Sequence, residues 1–523
     1  MSPADGQQTY QGMYDPLVAH GARVLDPSRA ARLDAQVLEP TVYVCDSVLV
    51  EGDPTSDEVA GFRDWLSAVK HVRSEADETN ARIFANRPDR SRAVPWVTPL
   101  RLFPEDGHAV SIDAWTLIQD YRAAVRRAFP EQQRPKADDE GANDQPAEAG
   151  AEGGPATGER AGGADEHQIK VPTEVGLDHL MAATIFGQSA TVGGTKTIGV
   201  TKTIGVTKTI GVGVSDQYAE PGLGGRTPVA YLGPGPVRRE LDDPPVVVLM
   251  DTGIGRHTWL AAGITDLGGP QGAAAERSGV LHDQLEGVLD DFSGHGTFIA
   301  GLIRQTCPDA HLLTFQVMDS DGYVPESTMI NTFEQLADLR AEGQRVDAVS
   351  MSFGYYHEDS DAAKTASLYN ALRSLVDEKG RDGRAVVLVA SAGNDATDRP
   401  MLPAAFTDID ELTSVGARNP NGTVALFSNA GTWVDTYWTG AQVFSTMPDT
   451  FNGAVQPTAR TTWNGQRRES LDLDDFTGGF ATWSGTSFAT PAFLGHCLQL
   501  KLTEQPAADL LDIVRDVAKQ HRR

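Results

Sequence analysis

PVVVLMDTGIG, residues 245–255, is an unbroken apolar run that ends in a carboxylate and a glycine-bounded turn. A strand with no polar alternation is buried on both faces, as in a parallel sheet covered by helices. HLLTFQV (311–317), VDAVSMSF (346–353) and AVVLVAS (385–391) repeat the pattern. Between them, STMINTFEQLADLRA (327–341) carries Ile330, Phe333, Leu336 and Leu339 at helical spacing, and so does the set Leu368, Leu372, Leu375 and Val376. Strands alternating with amphipathic helices predict an α/β fold, a parallel sheet flanked by helices, over residues 227–523. Reactive side chains in such folds stand at the carboxyl ends of the strands.

Outward from this region the composition changes. Residues 1–130 read as a small α+β domain. TVYVCDSVLV (41–50) is strand-like, and Thr55 with Glu58 forms a capping box ahead of Val59, Phe62, Trp65, Leu66, Val69 and Val72. AVPWVTPLRLF (93–103) reads as strand, and Ser111 as the cap of a helix whose inner face is Trp115, Ile118, Tyr121, Val125 and Phe129. Residues 131–168 are Pro, Ala, Gly, Glu and Asp with few large apolar side chains, which predicts a disordered acidic linker. Residues 169–226 form a connecting segment. LDHLMAATIF (177–186) reads there as a short helix, followed by TKTIGV three times at 195–212, too few copies for a solenoid core.

The chain has 523 residues and a formal charge of −28. That sign repels phosphate backbones and anionic lipid, so the expected partners include neither nucleic acid nor membrane. No apolar run approaches the roughly 18 residues that span a bilayer, and MSPADGQQTYQGMYDP at the start has no secretory pattern. Cys45, Cys307 and Cys497 are odd in number and far apart, without disulfide or metal spacing. The expectation is a cytoplasmic protein.

Four residues carry possible chemistry. Asp251 closes the first buried strand; alone, it is as readily a cap as a catalytic carboxylate. His295, in SGHGTFIAG, sits between two glycines that offer it no packing. Asn394, in ASAGN, follows a buried strand and is either a turn residue or a donor to an oxyanion. Ser487, in WSGTSFATP, stands where a helix begins, either as its cap or as a nucleophile facing the helix dipole.

Together, in this order, these blocks resemble the subtilisin-like serine proteases, the subtilases. VSMSFG (349–354), LPAAF (402–406) and SVGA (414–417) add to the likeness, which covers roughly residues 240–500. The resemblance implies a serine endopeptidase with Ser487 as nucleophile, His295 as general base and Asp251 as the carboxylate that orients it. It implies an oxyanion hole from Asn394 and the Ser487 backbone N–H. Ser350, Ser352, Phe353, Gly354, Ala392 and Gly393 would line the substrate site. The acid-acting relatives carry a glutamate where His295 stands. Thr252, rather than a second acid, follows Asp251, which speaks against a paired-basic preference. No cofactor is expected. The calcium loop of secreted members is missing after HGTFIAGLI, and Asp309, Asp319 and Asp321 remain only as acidic candidates for a cation. Residues 1–130 could serve as an inhibitory pro-region, and a regulatory protein partner is the other expected control beside the peptide or protein substrate. The alternative reading is a catalytically silent binding or adaptor protein on the same fold.

Overall fold

A computed structural model describes residues 16–30, 37–86, 94–129, 173–183, 225–268, 276, 279–280, 287–359, 366–378 and 383–522. The predicted linker and the TKTIGV repeats lie outside the described residues.

After a single helical turn at Pro16–Ala19, the N-terminal part continues with β1 (Ala22–Leu25) and β2 (Thr41–Glu51). Helix α1 (Asp57–Trp65), β3 (Val72–Ala76), α2 (Glu78–Ala85), β4 (Val97–Pro104), α3 (Ala114–Ala128) and β5 (Val175–Ala183) follow. The caps differ by one or two residues from the expected ones. Ser56, not Thr55, accepts from the Val59 N–H, and Asp113, not Ser111, accepts from Thr116. Val72 opens β3 instead of ending the helix before it. The inner faces of α1 and α3 close a core of Phe62, Trp65, Leu66, Trp115, Ile118 and Tyr121 over the sheet.

After the short β6 (Thr227–Pro228), the peptidase-like part opens with β7 (Val246–Asp251) and β8 (Ile264–Asp266). It continues with α4 (His295–Thr306), β9 (His311–Gln316), β10 (Tyr323–Pro325), α5 (Glu326–Glu342), β11 (Ala348–Met351), β12 (Phe353–Gly354) and α6 (Ser367–Asp377). Then come β13 (Val387–Ser391), β14 (Leu412–Arg418), β15 (Thr436–Thr439), β16 (Val443–Thr446), β17 (Arg460–Trp463), β18 (Gln466–Glu469) and β19 (Phe480–Trp483). Helices α7 (Thr486–Thr503) and α8 (Leu510–Gln520) end the fold.

The expected parallel sheet is present, with strand order β15-β14-β13-β11-β7-β9-β8 and every pairing parallel. All six residues of β7 are buried, which explains its lack of polar alternation. Helix α7 runs beside α4 and along β13, β14 and β15, so that Ser487 and His295 sit at neighbouring helix N-termini.

The stretch read as a helix at 177–186 is instead strand β5 as far as Ala183; the residues after it are outside the described set. It pairs antiparallel with β2 through residues 175–179 and, further along, with β10 on one edge and β12 on the other, both meeting at Ala182. One seven-stranded sheet therefore passes from the N-terminal part into the peptidase-like part. The two parts also meet through polar side chains. Asn80 is fully buried, accepts from Trp96 Nε1 and donates to the Val97 carbonyl and to Asn331 of α5 at 2.9 Å.

Candidate active site

Asp251 ends β7, 4% exposed, and its Oδ1 accepts the Thr252 N–H at 2.8 Å. His295 is the first residue of α4 and is fully buried. Its two glycine neighbours have separate reasons. Gly294 holds φ at 86°, a left-handed conformation that disfavours a side chain. A Cβ on Gly296 would lie 2.2 Å from the Gly253 carbonyl oxygen, so only glycine lets the helix start press against the turn after β7. That approach puts His295 Nδ1 at 2.8 and 3.0 Å from the two Asp251 oxygens. An imidazole donating from Nδ1 leaves Nε2 with a free lone pair. Nε2 is buried and has no hydrogen-bond partner among the described residues.

Ser487 lies one residue inside α7 and is fully buried. Its hydroxyl donates to the Ser352 carbonyl at 3.3 Å, and the Ser352 hydroxyl donates back to the Ser487 carbonyl at 3.0 Å. Ser487 and His295 share no hydrogen bond in this arrangement. They are nonetheless close, since the ring of Phe488, the next residue, lies 5.4 Å from the imidazole. A serine rotamer change is the kind of adjustment that a bound substrate completes.

Asn394 follows β13. Its Oδ1 accepts from the Thr486 N–H at 2.9 Å and from the Thr486 hydroxyl at 3.0 Å. A backbone N–H can only donate, so the amide oxygen must face Thr486 and the NH₂ must point away. That Nδ2 is buried and unpartnered among the described residues, a donor without an acceptor. Thr486 was not singled out in the sequence, although SGTS contains it. It orients Asn394, and its hydroxyl also accepts the Gly393 N–H at 3.1 Å.

The expected substrate-lining residues divide. Phe353 and Gly354 form β12 and pair with Ala183 and Ala182 of β5. Ser352 bonds Ser487 as described. Ala392 and Gly393 are buried between β13 and Asn394; Ala392 is tied to Asn429, whose Nδ2 donates to its carbonyl at 2.8 Å. Ser350 sits deeper, inside the parallel sheet between Leu249 and Val389. Of the acidic cation candidates, Asp309 meets the Arg239 guanidinium at 2.6 and 2.9 Å, and Asp321 meets His20 at 2.8 Å.

Two further buried groups brace the histidine. The Arg226 guanidinium lies over the Trp483 ring and donates to the carbonyls of Asp290, Asp291 and Ser293, just before His295. Glu276 accepts the Gly294 N–H at 2.6 Å and the Thr297 hydroxyl at 3.2 Å. Burial, against the Gly294 hydrogen bond and with the Asp251 charge nearby, pushes the Glu276 carboxyl up to about 8. A folded protein that keeps this proton longer than the unfolded chain loses stability as pH rises from the ordinary glutamate range towards 8. Glu276→Gln cannot titrate. Urea melts at pH 5 and pH 8 are therefore expected to show the variant gaining on the wild type at the higher pH; parallel pH curves would remove the assignment.

A sequence model of the Subtilase family matches residues 242–504. The chain belongs to the subtilase family. It is 26% identical over 228 residues to an intracellular serine protease of Paenibacillus polymyxa, covering 41% of this chain and 55% of that protein. It is 31% identical over 185 residues to subtilisin E of Bacillus subtilis (strain 168), covering 33% and 43%. The chain thus spans about half the length of the curated subtilases it matches. A solved cold-adapted subtilisin-like serine proteinase aligns over 52% of this chain and 79% of its own, at 20% identity and a TM-score of 0.37.

Proposed function

We propose that this subtilase is a serine endopeptidase held inactive by its own N-terminal part. One observation carries the reading. Strand β5 lies extended between β10 and β12, and its last described residue, Ala183, sits opposite Phe353, next to the Ser352–Ser487 pair. An extended peptide added as a strand is how a protease of this design takes its substrate. Here the strand is the chain's own.

The chemistry follows from the side chains. Ser487 Oγ attacks the carbonyl carbon as its proton passes to His295 Nε2. Asp251 fixes the tautomer that leaves Nε2 basic and stabilises the imidazolium. Asn394 Nδ2 and the Ser487 N–H donate to the oxyanion. The imidazolium then protonates the leaving amine as the C–N bond breaks. Water, deprotonated by His295, cleaves the acyl ester and frees Ser487.

Met181 supports the substrate-like reading of β5. It is fully buried in the peptidase core, opposite Val324 of β10. The free thiols of Cys45, Cys307 and Cys497 suit a reducing, cytoplasmic setting, in keeping with an intracellular protease among the relatives.

A fluorophosphonate probe tests the proposal. Full-length protein is expected to react slowly, to cut itself shortly after Ala183, and then to label at Ser487. Absent labelling, with no peptide hydrolysis after the N-terminal part has been removed by an added protease, would leave a silent binding protein as the reading.

A further inference from the structure

At the upstream end of the cleft the chain buries a histidine between two carboxylates. His179 of β5 is 2% exposed. Its Nδ1 lies 2.6 Å from Glu326 Oε2 and its Nε2 2.7 Å from Glu358 Oε2. Only an imidazolium can donate from both nitrogens, so the ring carries a positive charge. Burial lowers its proton affinity, but Glu358 and Glu326 outweigh that and hold the group up to about 10. Both carboxylates belong to the peptidase-like part and are fixed there. Glu326 Oε1 accepts from the Tyr355 hydroxyl at 3.1 Å and from the Leu368 N–H at 3.0 Å. The Tyr355 ring stacks on His179 at 4.5 Å. The His357 ring is 4.8 Å away, and its Nδ1 accepts the Asp359 N–H. On β5 itself the neighbouring Asp178 is satisfied by the Ser47 hydroxyl and the Ser327 N–H.

We propose that Glu326 and Glu358 form a cation-recognition subsite of the cleft, filled here by His179, which selects peptides carrying a basic side chain at the same place. That place is three residues upstream of Ala182, the residue facing Gly354, or about 10 Å along an extended strand. His179, Met181 and Ala183 lie on one face of β5, so the strand that pairs with Phe353, the neighbour of Ser352, also presents its cation to this pocket. A peptide that displaces β5 must either supply a positive charge or leave two carboxylates to be rehydrated. Losing one partner of a buried ion pair is costly because the other charge stays behind. The same pocket therefore holds the N-terminal strand in cis and reads the substrate in trans. Its substrate arm rests on the endopeptidase reading; its docking arm rests on the contacts alone.

The docking arm uses the full-length Ser487→Ala protein, which cannot cut itself, and follows hydrogen exchange of the β5 amides. His179→Gln is expected to speed exchange at least about tenfold, and adding Glu358→Gln to recover most of that loss. A double variant as loose as His179→Gln alone would show that shape, not charge, matters, and would overturn the subsite. Protection that vanishes with EDTA and returns with zinc would assign the pocket to a metal ion on His179, His357 and Glu358, and would overturn it too. The substrate arm uses self-processed enzyme and quenched peptides built on residues 176–187, with Lys, His, Gln or Glu at the His179 position. Lys and His are expected to exceed Gln about tenfold in kcat/KM, with Glu lowest, and Glu358→Gln to level the series. Equal rates across the series would overturn the proposal. If no peptide is cut at all, the endopeptidase reading fails while the exchange arm still decides the pocket.

Discussion

Replacing Ser487 with alanine should lower peptide turnover by on the order of 10⁶, the loss that follows removal of a triad nucleophile. The fold should survive. Ser487 is buried at the start of α7, where alanine is as good a helix former, and its hydroxyl bond to the Ser352 carbonyl is long at 3.3 Å. The melting temperature should therefore move by no more than about 2 °C. The same variant should accumulate as an uncut chain, because the strand leading to Ser487 is its own. His295→Ala should be nearly as slow, and the double variant no slower than either single one, since the two act as a unit. Single-turnover hydrolysis of an ester substrate, read beside a thermal melt, separates these effects. Turnover by a clean Ser487→Ala preparation would remove the nucleophile assignment.

Much of this site was legible because its local backbone permits few residue types. Gly294 must adopt a positive φ and Gly296 must meet the Gly253 carbonyl, so the histidine is framed by glycines that no packing argument explains. Buried parallel strands likewise announce themselves as unbroken apolar runs, as β7 does. The same rule misleads at β5. Leu177, Leu180 and Met181 fall at helical spacing, and the segment has no alternation to mark a strand. The reason is that β5 is buried on both faces, Met181 in the peptidase core and the adjacent Leu180 against Ala22, Val42 and Tyr323. Periodicity cannot separate a short helix from a strand buried on two faces. Glu276, Arg226 and Thr486 stayed hidden for another reason. Their partners Gly294, Ser293 and Asn394 lie 18, 67 and 92 residues away, and nothing in a local window ties a carboxyl, a guanidinium or a hydroxyl to so distant a group. His179 belongs to the same class, since it meets Glu326 and Glu358 across 147 and 179 residues.

Asn394 separates stabilisation of the transition state from support of the fold. Its Nδ2 has no partner among the described residues, and in the proposed mechanism its acceptor is the oxyanion of the attacked carbonyl. Asn394→Ala should then lower kcat by about 10² to 10³ with KM nearly unchanged, the size that loss of one such donor has in acyl transfer. Alanine also deprives the Thr486 N–H and hydroxyl of their acceptor, so a fall in rate could come from a displaced helix start. Asn394→Asp resolves the ambiguity. A carboxylate keeps both bonds to Thr486 but offers a second oxygen, and negative charge, where a donor is required. It should melt above the alanine variant and yet turn over no faster. An aspartate variant with near-normal kcat would show that Asn394 serves the fold rather than the oxyanion. A raised KM with kcat unchanged would show that it holds the ground state as firmly as the transition state.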